Sequence, residues 1–140
     1  MKLTKTKYEN NWKEKTLEDL EKDYWGEPII DSHLVKSCHS LRKKPIKDFE
    51  IEDLRLMIGQ NIGFKFLIPV ALDKLSQNIL AEGDFYEGDL LKSVLTCKKE
   101  FWISEKEMTQ DLKSIISDNQ KVLEEREPDL LEIFMEWKKR

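Results

Sequence analysis

FKFLIPVALDKL, residues 64–75, is the stretch that decides the fold. Phe64, Leu67, Ile68, Ala71, Leu72 and Leu75 recur at the three- and four-residue steps of an α-helix and line one wide apolar face. A face that broad belongs at the centre of a core. Pro69 sits inside the run. It has no amide to donate and its ring crowds the carbonyl four residues back, so it predicts a kink or a late start.

Working outward from this helix, the flanks read the same way. Upstream, Gly59 and Gly63 bracket a break, and Ile51, Leu54, Met57 and Ile58 share the face of a preceding helix. Before that, Leu34, Val35, Cys38 and Leu41 form a buried stripe that Asp31 or Ser32 can cap and Pro45 stops. Thr16-Leu17-Glu18-Asp19 has the form of a capping box with Asp in place of Glu, and Gly26-Glu27-Pro28 ends the short helix it opens. Downstream, Leu90, Leu91, Val94 and Leu95 follow a cap at Gly88 or Asp89. Ser104-Glu105-Lys106-Glu107 is a full capping box, opening a long helix with Met108, Leu112, Ile115, Ile116 and Leu123. Pro128 suits the first position of a last helix bearing Leu130, Leu131, Phe134 and Trp137. Pro28-Ile29-Ile30 and Ile103 are the only β-like pieces, and both are short. The expectation is an all-α, single compact domain of roughly six to eight helices over residues 16–140. Residues 1–15, polar and aperiodic, are expected to be a flexible arm.

Length and composition agree with one domain. The chain has 140 residues, 39% hydrophobic and 37% charged, long enough for a core without staples. Cys38 and Cys97 are the only cysteines, too few for a disulfide-dense secreted scaffold. The N-terminus lacks the apolar stretch of a signal peptide, and no run reaches the roughly 18 apolar residues of a membrane span. A cytoplasmic protein with no membrane partner is expected. The net charge of −4 is uneven: residues 1–15 hold five lysines against two glutamates, +3, leaving −7 for residues 16–140. Nucleic acid is a poor direct partner for such a body, because Lys and Arg supply most phosphate affinity. A basic protein is a better one.

Catalytic and metal constellations find little footing. At about 100° per helical residue, His33 points roughly 140° from Cys38 and roughly 120° from His39, so the three do not converge on a metal. Cys38 and His39 point roughly 100° apart, and no third group orients them as a nucleophilic pair. Gly59-Gln60-Asn61-Ile62-Gly63 lacks the Lys-Ser/Thr of a phosphate loop. The helix–Gly turn–helix at residues 51–72 echoes a DNA-reading motif, but its second helix offers Lys65 and little else on an outer face. No catalytic residue, metal ligand or cofactor site is expected.

One segment remains. AEGDFYEGDLLKSVL, residues 81–95, packs Glu82, Asp84, Glu87 and Asp89 into eight positions without a base, with Phe85 and Tyr86 between Gly83 and Gly88. Such carboxylates can serve an acid/base hydrolase. They can cap the next helix while Phe85 anchors the segment on the core. They can also surround aromatic contact area and select a basic partner.

The ordered segments LEDLEKDYWGEP (17–28), SHLVKSCHSLRKKPIKDFEIEDLRLMIGQNIGFKFLIPVALDKL (32–75) and LAEGDFYEGDLLKSVL (80–95) resemble immunity proteins of bacterial contact-dependent growth inhibition systems. The likeness runs more loosely through Phe101-Trp102 into the C-terminal helices, and residues 1–15 depart from it. The resemblance implies a non-enzymatic inhibitor that binds a cognate toxin C-terminal domain of a large surface-displayed protein. Many such toxins are nucleases, including tRNA-cleaving ones, with basic substrate clefts. The family brings no catalytic residue to this chain. From the chain's own chemistry the partner-binding residues are expected to be Glu82, Asp84, Tyr86, Glu87 and Asp89, with Glu105, Glu107, Asp111 and Asp118 as a rival acidic surface. A small hydrolase using the same carboxylates, or a helical adaptor, is the alternative.

Overall fold

The computed structural model describes residues 10–139. Among them there is no strand, and nine α-helices follow in order: α1 (Leu17–Glu21), α2 (His33–Leu41), α3 (Ile51–Gly59), α4 (Phe64–Gln77), α5 (Asp89–Thr96), α6 (Lys99–Ser104), α7 (Lys106–Asp118), α8 (Gln120–Arg126) and α9 (Pro128–Lys138). Short 3-10 turns occupy Trp12–Glu14 and Ile46–Asp48. The all-α class is as expected; the helices exceed six to eight because the segment before the expected capping box is itself helical and the long helix after it divides. Phe101-Trp102-Ile103 lies inside a helix of its own, α6, and the Ser104 hydroxyl donates to the Phe101 carbonyl at 2.9 Å. Ser104 thus closes α6 instead of capping α7, whose N-cap position is Glu105. The long helix then breaks at Asn119, whose side-chain amide donates to the Ile115 carbonyl at 2.8 Å. That is the local competition with helical bonding at which Asn excels.

Other termini follow their sequence signals. Thr16 Oγ1 accepts the Asp19 amide at 3.2 Å and Ser32 Oγ the Val35 amide at 3.1 Å. Each such cap satisfies a donor that the first helical turn leaves orphaned. Pro128 opens α9. Pro69 lies within α4, which begins at Phe64 and runs past it to Gln77.

α4 buries Phe66, Leu67, Ile68, Val70, Ala71, Leu72 and Leu75, a wider face than periodicity alone outlines. α5 buries Leu90, Leu91, Val94 and Leu95 and packs on α3, α4 and α9. α7 lies against α4 and α6, and α8 against α9. Trp102 and Phe134 flank Trp137 with ring centroids 5.5 and 5.6 Å away. Each fully buried Leu or Ile contributes about 1.5–3 kcal/mol, so the α3–α4–α5 packing supplies a large share of the stability.

Of the expected N-terminal arm, residues 1–9 lie outside the described residues. The remainder is tied to the body at Trp12 and Lys15. Trp12 is buried with its ring 6.0 Å from that of Phe66, and the Lys15 carbonyl accepts the Ile46 amide at 3.0 Å. A buried indole carries enough apolar area to tie down a polar segment.

Candidate partner-binding surface

The acidic-aromatic stretch is the connection between α4 and α5, and it lies against the start of α3. Two carboxylates hold its backbone. Asp89, only 3% exposed, accepts the Gly83 amide on Oδ1 at 2.7 Å and the Phe85 and Tyr86 amides on Oδ2 at 3.1 and 3.4 Å. Glu52 on α3 accepts the Asp84 amide on Oε1 at 2.8 Å. Arg55, one turn further along α3, grips Glu52 with Nε and Nη2, both at 2.6 Å, and its Nε stands 4.0 Å from Asp89. Amide donors gathered on carboxylates, one buried and one half-buried, make the strong, charge-assisted kind of hydrogen bond.

Glycine is required twice. A Cβ at Gly83 would stand 2.5 Å from Glu52 Oε1 and 3.2 Å from the Glu52 Cα, so only glycine lets the loop lie this close to α3. Gly88, at φ +85°, is the left-handed N-cap of α5, where a side chain is strained.

Electrostatics agree with the geometry. The hydrogen bonds from Arg55 hold the Glu52 carboxyl below the usual carboxylate range, against burial and helped by the Asp84 amide. The same contact raises the Arg55 guanidinium further above its ordinary value. Both groups therefore stay charged at neutral pH.

With the backbone fixed, the side chains turn outward. Phe85 is 67% exposed and Tyr86 43%; Phe85 is not the core anchor that its apolar character suggests. Its ring rests on the Arg55 guanidinium, 4.3 Å from ring centroid to carbon, and Lys92 Nζ lies 5.8 Å from the Tyr86 centroid. Of the expected partner-binding residues, Glu82, Asp84 and Tyr86 are exposed, Glu87 is half-exposed and paired with Arg126, and Asp89 is turned inward. The rival acids do not form one surface of equal access. Glu107 and Asp118 are exposed while Glu105 and Asp111 are half-buried. Asp118 borders a groove of about 440 Å³ that also holds Lys113, Phe134 and Lys138, a mixed lining.

Sequence reasoning missed Glu52 and Arg55. Their signal is the i, i+3 acid–base spacing on α3, off the apolar stripe. It also missed a second exposed apolar stretch, with Tyr24, Trp25, Ile29, Ile30 and Leu34 at the surface. There Arg42, 1% exposed, pairs with Glu21, donates to the Asp23 carbonyl at 2.5 Å and stacks 4.4 Å from the Trp25 centroid. His39 Nδ1 lies 3.1 Å from the Gly26 carbonyl oxygen, and its ring meets Trp25 edge-on. Among the described residues no group of three or more His, Cys, Asp or Glu is placed to hold a metal ion, and no helix is long and apolar enough to cross a membrane.

A family model described as CDI immunity proteins matches residues 19–112, from α1 to the middle of α7 and across both exposed aromatic stretches. No curated protein and no solved structure matches the chain.

Proposed function

The chain belongs to the family of CDI immunity proteins, whose members act against a contact-dependent growth inhibition toxin, and from that membership we propose how this one acts. It binds the cognate toxin's C-terminal domain in the cytoplasm and blocks the substrate-binding surface without chemistry of its own. The toxin is a nuclease with a cationic cleft, in which carboxylates of the inhibitor take places meant for phosphates. Glu82, Asp84, Phe85, Tyr86 and Glu87 form the leading contact, with Asp89 holding them in place from beneath.

The observation that carries this reading is the exposure of Phe85 and Tyr86 on a loop whose backbone is fixed and whose rim is acidic. Exposed aromatics give large contact area at small rotamer cost, and acidic neighbours select and steer a basic partner. The net charge of −7 over residues 16–140 works in the same direction. A hydrolase built on the carboxylates of residues 82–89 gains no support from the geometry, since Asp89 is engaged by backbone amides, Glu87 pairs with Arg126, and Glu82 and Asp84 stand exposed on the loop.

The test is co-expression of this chain with a tagged C-terminal domain of the large surface protein encoded beside it, at low and at physiological salt. A stable 1:1 complex that also silences the domain's toxicity is the expected result. No complex at either salt overturns the reading and sends the chain to a turnover screen.

A further inference from the structure

We infer that Glu52, Arg55 and Asp89 are positioning residues for toxin binding, holding the 82–88 loop preformed so that Phe85 projects as the anchoring side chain. This rests on the reading of that loop as the toxin-facing surface, and deepens it by naming what sets the affinity.

Unaided, the acidic stretch of residues 82–89 has little reason to hold one shape. Four like charges repel, glycines at both ends add freedom, and an exposed Phe has no reason to stay out of a core. Here every tendency is opposed by a specific contact. The amides of Gly83, Asp84, Phe85 and Tyr86 all end on Asp89 or Glu52. Arg55 neutralises both carboxylates from below, with Nε and Nη2 on Glu52 at 2.6 Å and Nε 4.0 Å from Asp89. Its guanidinium plane is at the same time the platform under the Phe85 ring, at 4.3 Å. One side chain therefore couples the loop's backbone to the direction of its aromatic. Such order costs conformational entropy, and a partner that meets the loop already ordered is spared that cost.

The partner that fits is a basic protein surface with an apolar pocket. Phe85 fills the pocket, and the carboxylates of Glu82, Asp84 and Glu87 meet Lys or Arg around it. Neither Arg55 nor Asp89 needs to touch that partner. They act on affinity through the fraction of molecules whose loop is competent to bind.

The conservative variant Arg55→Lys tests this, because it keeps the charge but loses the fork and the ring platform. Three quantities are read on the intact chain: affinity for the toxin C-terminal domain, hydrogen exchange at the Asp84 and Phe85 amides, and a double-mutant cycle with Phe85→Ala. If the competent fraction falls to about a tenth, affinity falls about tenfold and the two amides exchange correspondingly faster. In the Phe85→Ala background the same change costs clearly less than about tenfold, because the ring platform is already lost there and only the grip on the loop backbone remains to be weakened. Glu52→Gln, which keeps an acceptor but weakens the arginine grip, is expected to lie between wild type and Arg55→Lys. Faster exchange with unchanged affinity overturns the inference. Weaker binding with unchanged exchange, additive with Phe85→Ala, overturns it too and makes Arg55 a direct contact. If Phe85→Ala and Asp84→Lys also leave affinity intact, it is the toxin-facing assignment of the loop that fails.

Discussion

At the scale of the residue, Asp89 and Asp84 show how position divides identical carboxylates. Asp89 is buried against three amides, so Asp89→Ala leaves three donors without a partner and is expected to cost about 2–4 kcal/mol in urea unfolding. A loss below about 1 kcal/mol would mean that water replaces the carboxylate without penalty. Asp84 offers only its amide to the fold and leaves its side chain in solvent. Asp84→Lys is accordingly expected to leave the melting temperature nearly unchanged, and Glu87→Lys to cost only about 1 kcal/mol or less through its exposed pair with Arg126, while each weakens toxin binding several-fold, as reversals of rim charges do. Unchanged affinity for both reversals would remove the loop from the interface. Glu52 adds a pH dependence. Its folded value lies below its ordinary 4.5, set first by the Arg55 hydrogen bonds. Its stabilising contribution is thus complete above that ordinary value and is lost as pH falls through the lower, folded one. The Asp84 amide, which reports on Glu52 directly, should titrate by NMR with a midpoint below 4.5; a midpoint at or above it would contradict the arginine grip.

At the scale of the element, α3 does two jobs on two faces. Leu54, Met57 and Ile58 are buried toward α4 and α5, while Glu52 and Arg55 face the 82–88 loop. Core and loop are therefore separable by mutation. Ile58→Ala is expected to cost about 2–5 kcal/mol through the cavity it leaves, with toxin affinity unchanged at temperatures where the chain stays folded. Gly83→Ala is expected to do the reverse of this. The new methyl meets Glu52 at 2.5 Å and forces the loop off α3, so toxin binding weakens more than the melting temperature falls. If calorimetry shows affinity untouched by Gly83→Ala, a close seat on α3 is not what the partner requires. The α6–α7 and α7–α8 junctions belong to this scale as well. Ser104 and Asn119 each give a side-chain donor to a carbonyl of the preceding helix, and each ends that helix where periodicity alone would carry on.

At the scale of the whole molecule, the proposed role gives the acidic excess a task in meeting the partner. Residues 16–140 carry −7, so association with a cationic toxin domain is expected to slow as salt screens the attraction over the roughly 10 Å Debye length at 0.1 M. Dissociation, governed by the buried anchor, should change far less. Stopped-flow rates at two ionic strengths check this, and an association rate indifferent to salt would discard electrostatic steering. The packed Trp12 belongs to the same scale. Residues 10–15, polar by count, are tied to the body because one indole meets Phe66, fifty-four positions away in the chain.

Much of this was legible in the sequence, and for local reasons. Helical periodicity placed the apolar faces of α3, α4, α5 and α9; on α2 the structure buries Cys38 and Leu41 of the expected stripe but leaves Leu34 exposed. Thr16, Ser32 and Pro128 marked helix starts because a cap acts within one turn of the residue that makes it. The ordered segments between Leu17 and Leu95 pointed to the family that the match over residues 19–112 then showed. What the sequence could not supply depends on residues far apart in the chain. Whether Phe85 turned inward or outward was decided by Arg55, thirty positions earlier, offering a platform outside the core. Whether an acid of the 82–89 stretch faced solvent or the fold was decided by which amides came within reach of it. The tertiary structure alone chose Asp89 for the inside and left Glu82 and Asp84 in solvent, because a buried carboxylate is tolerated only where donors converge on it.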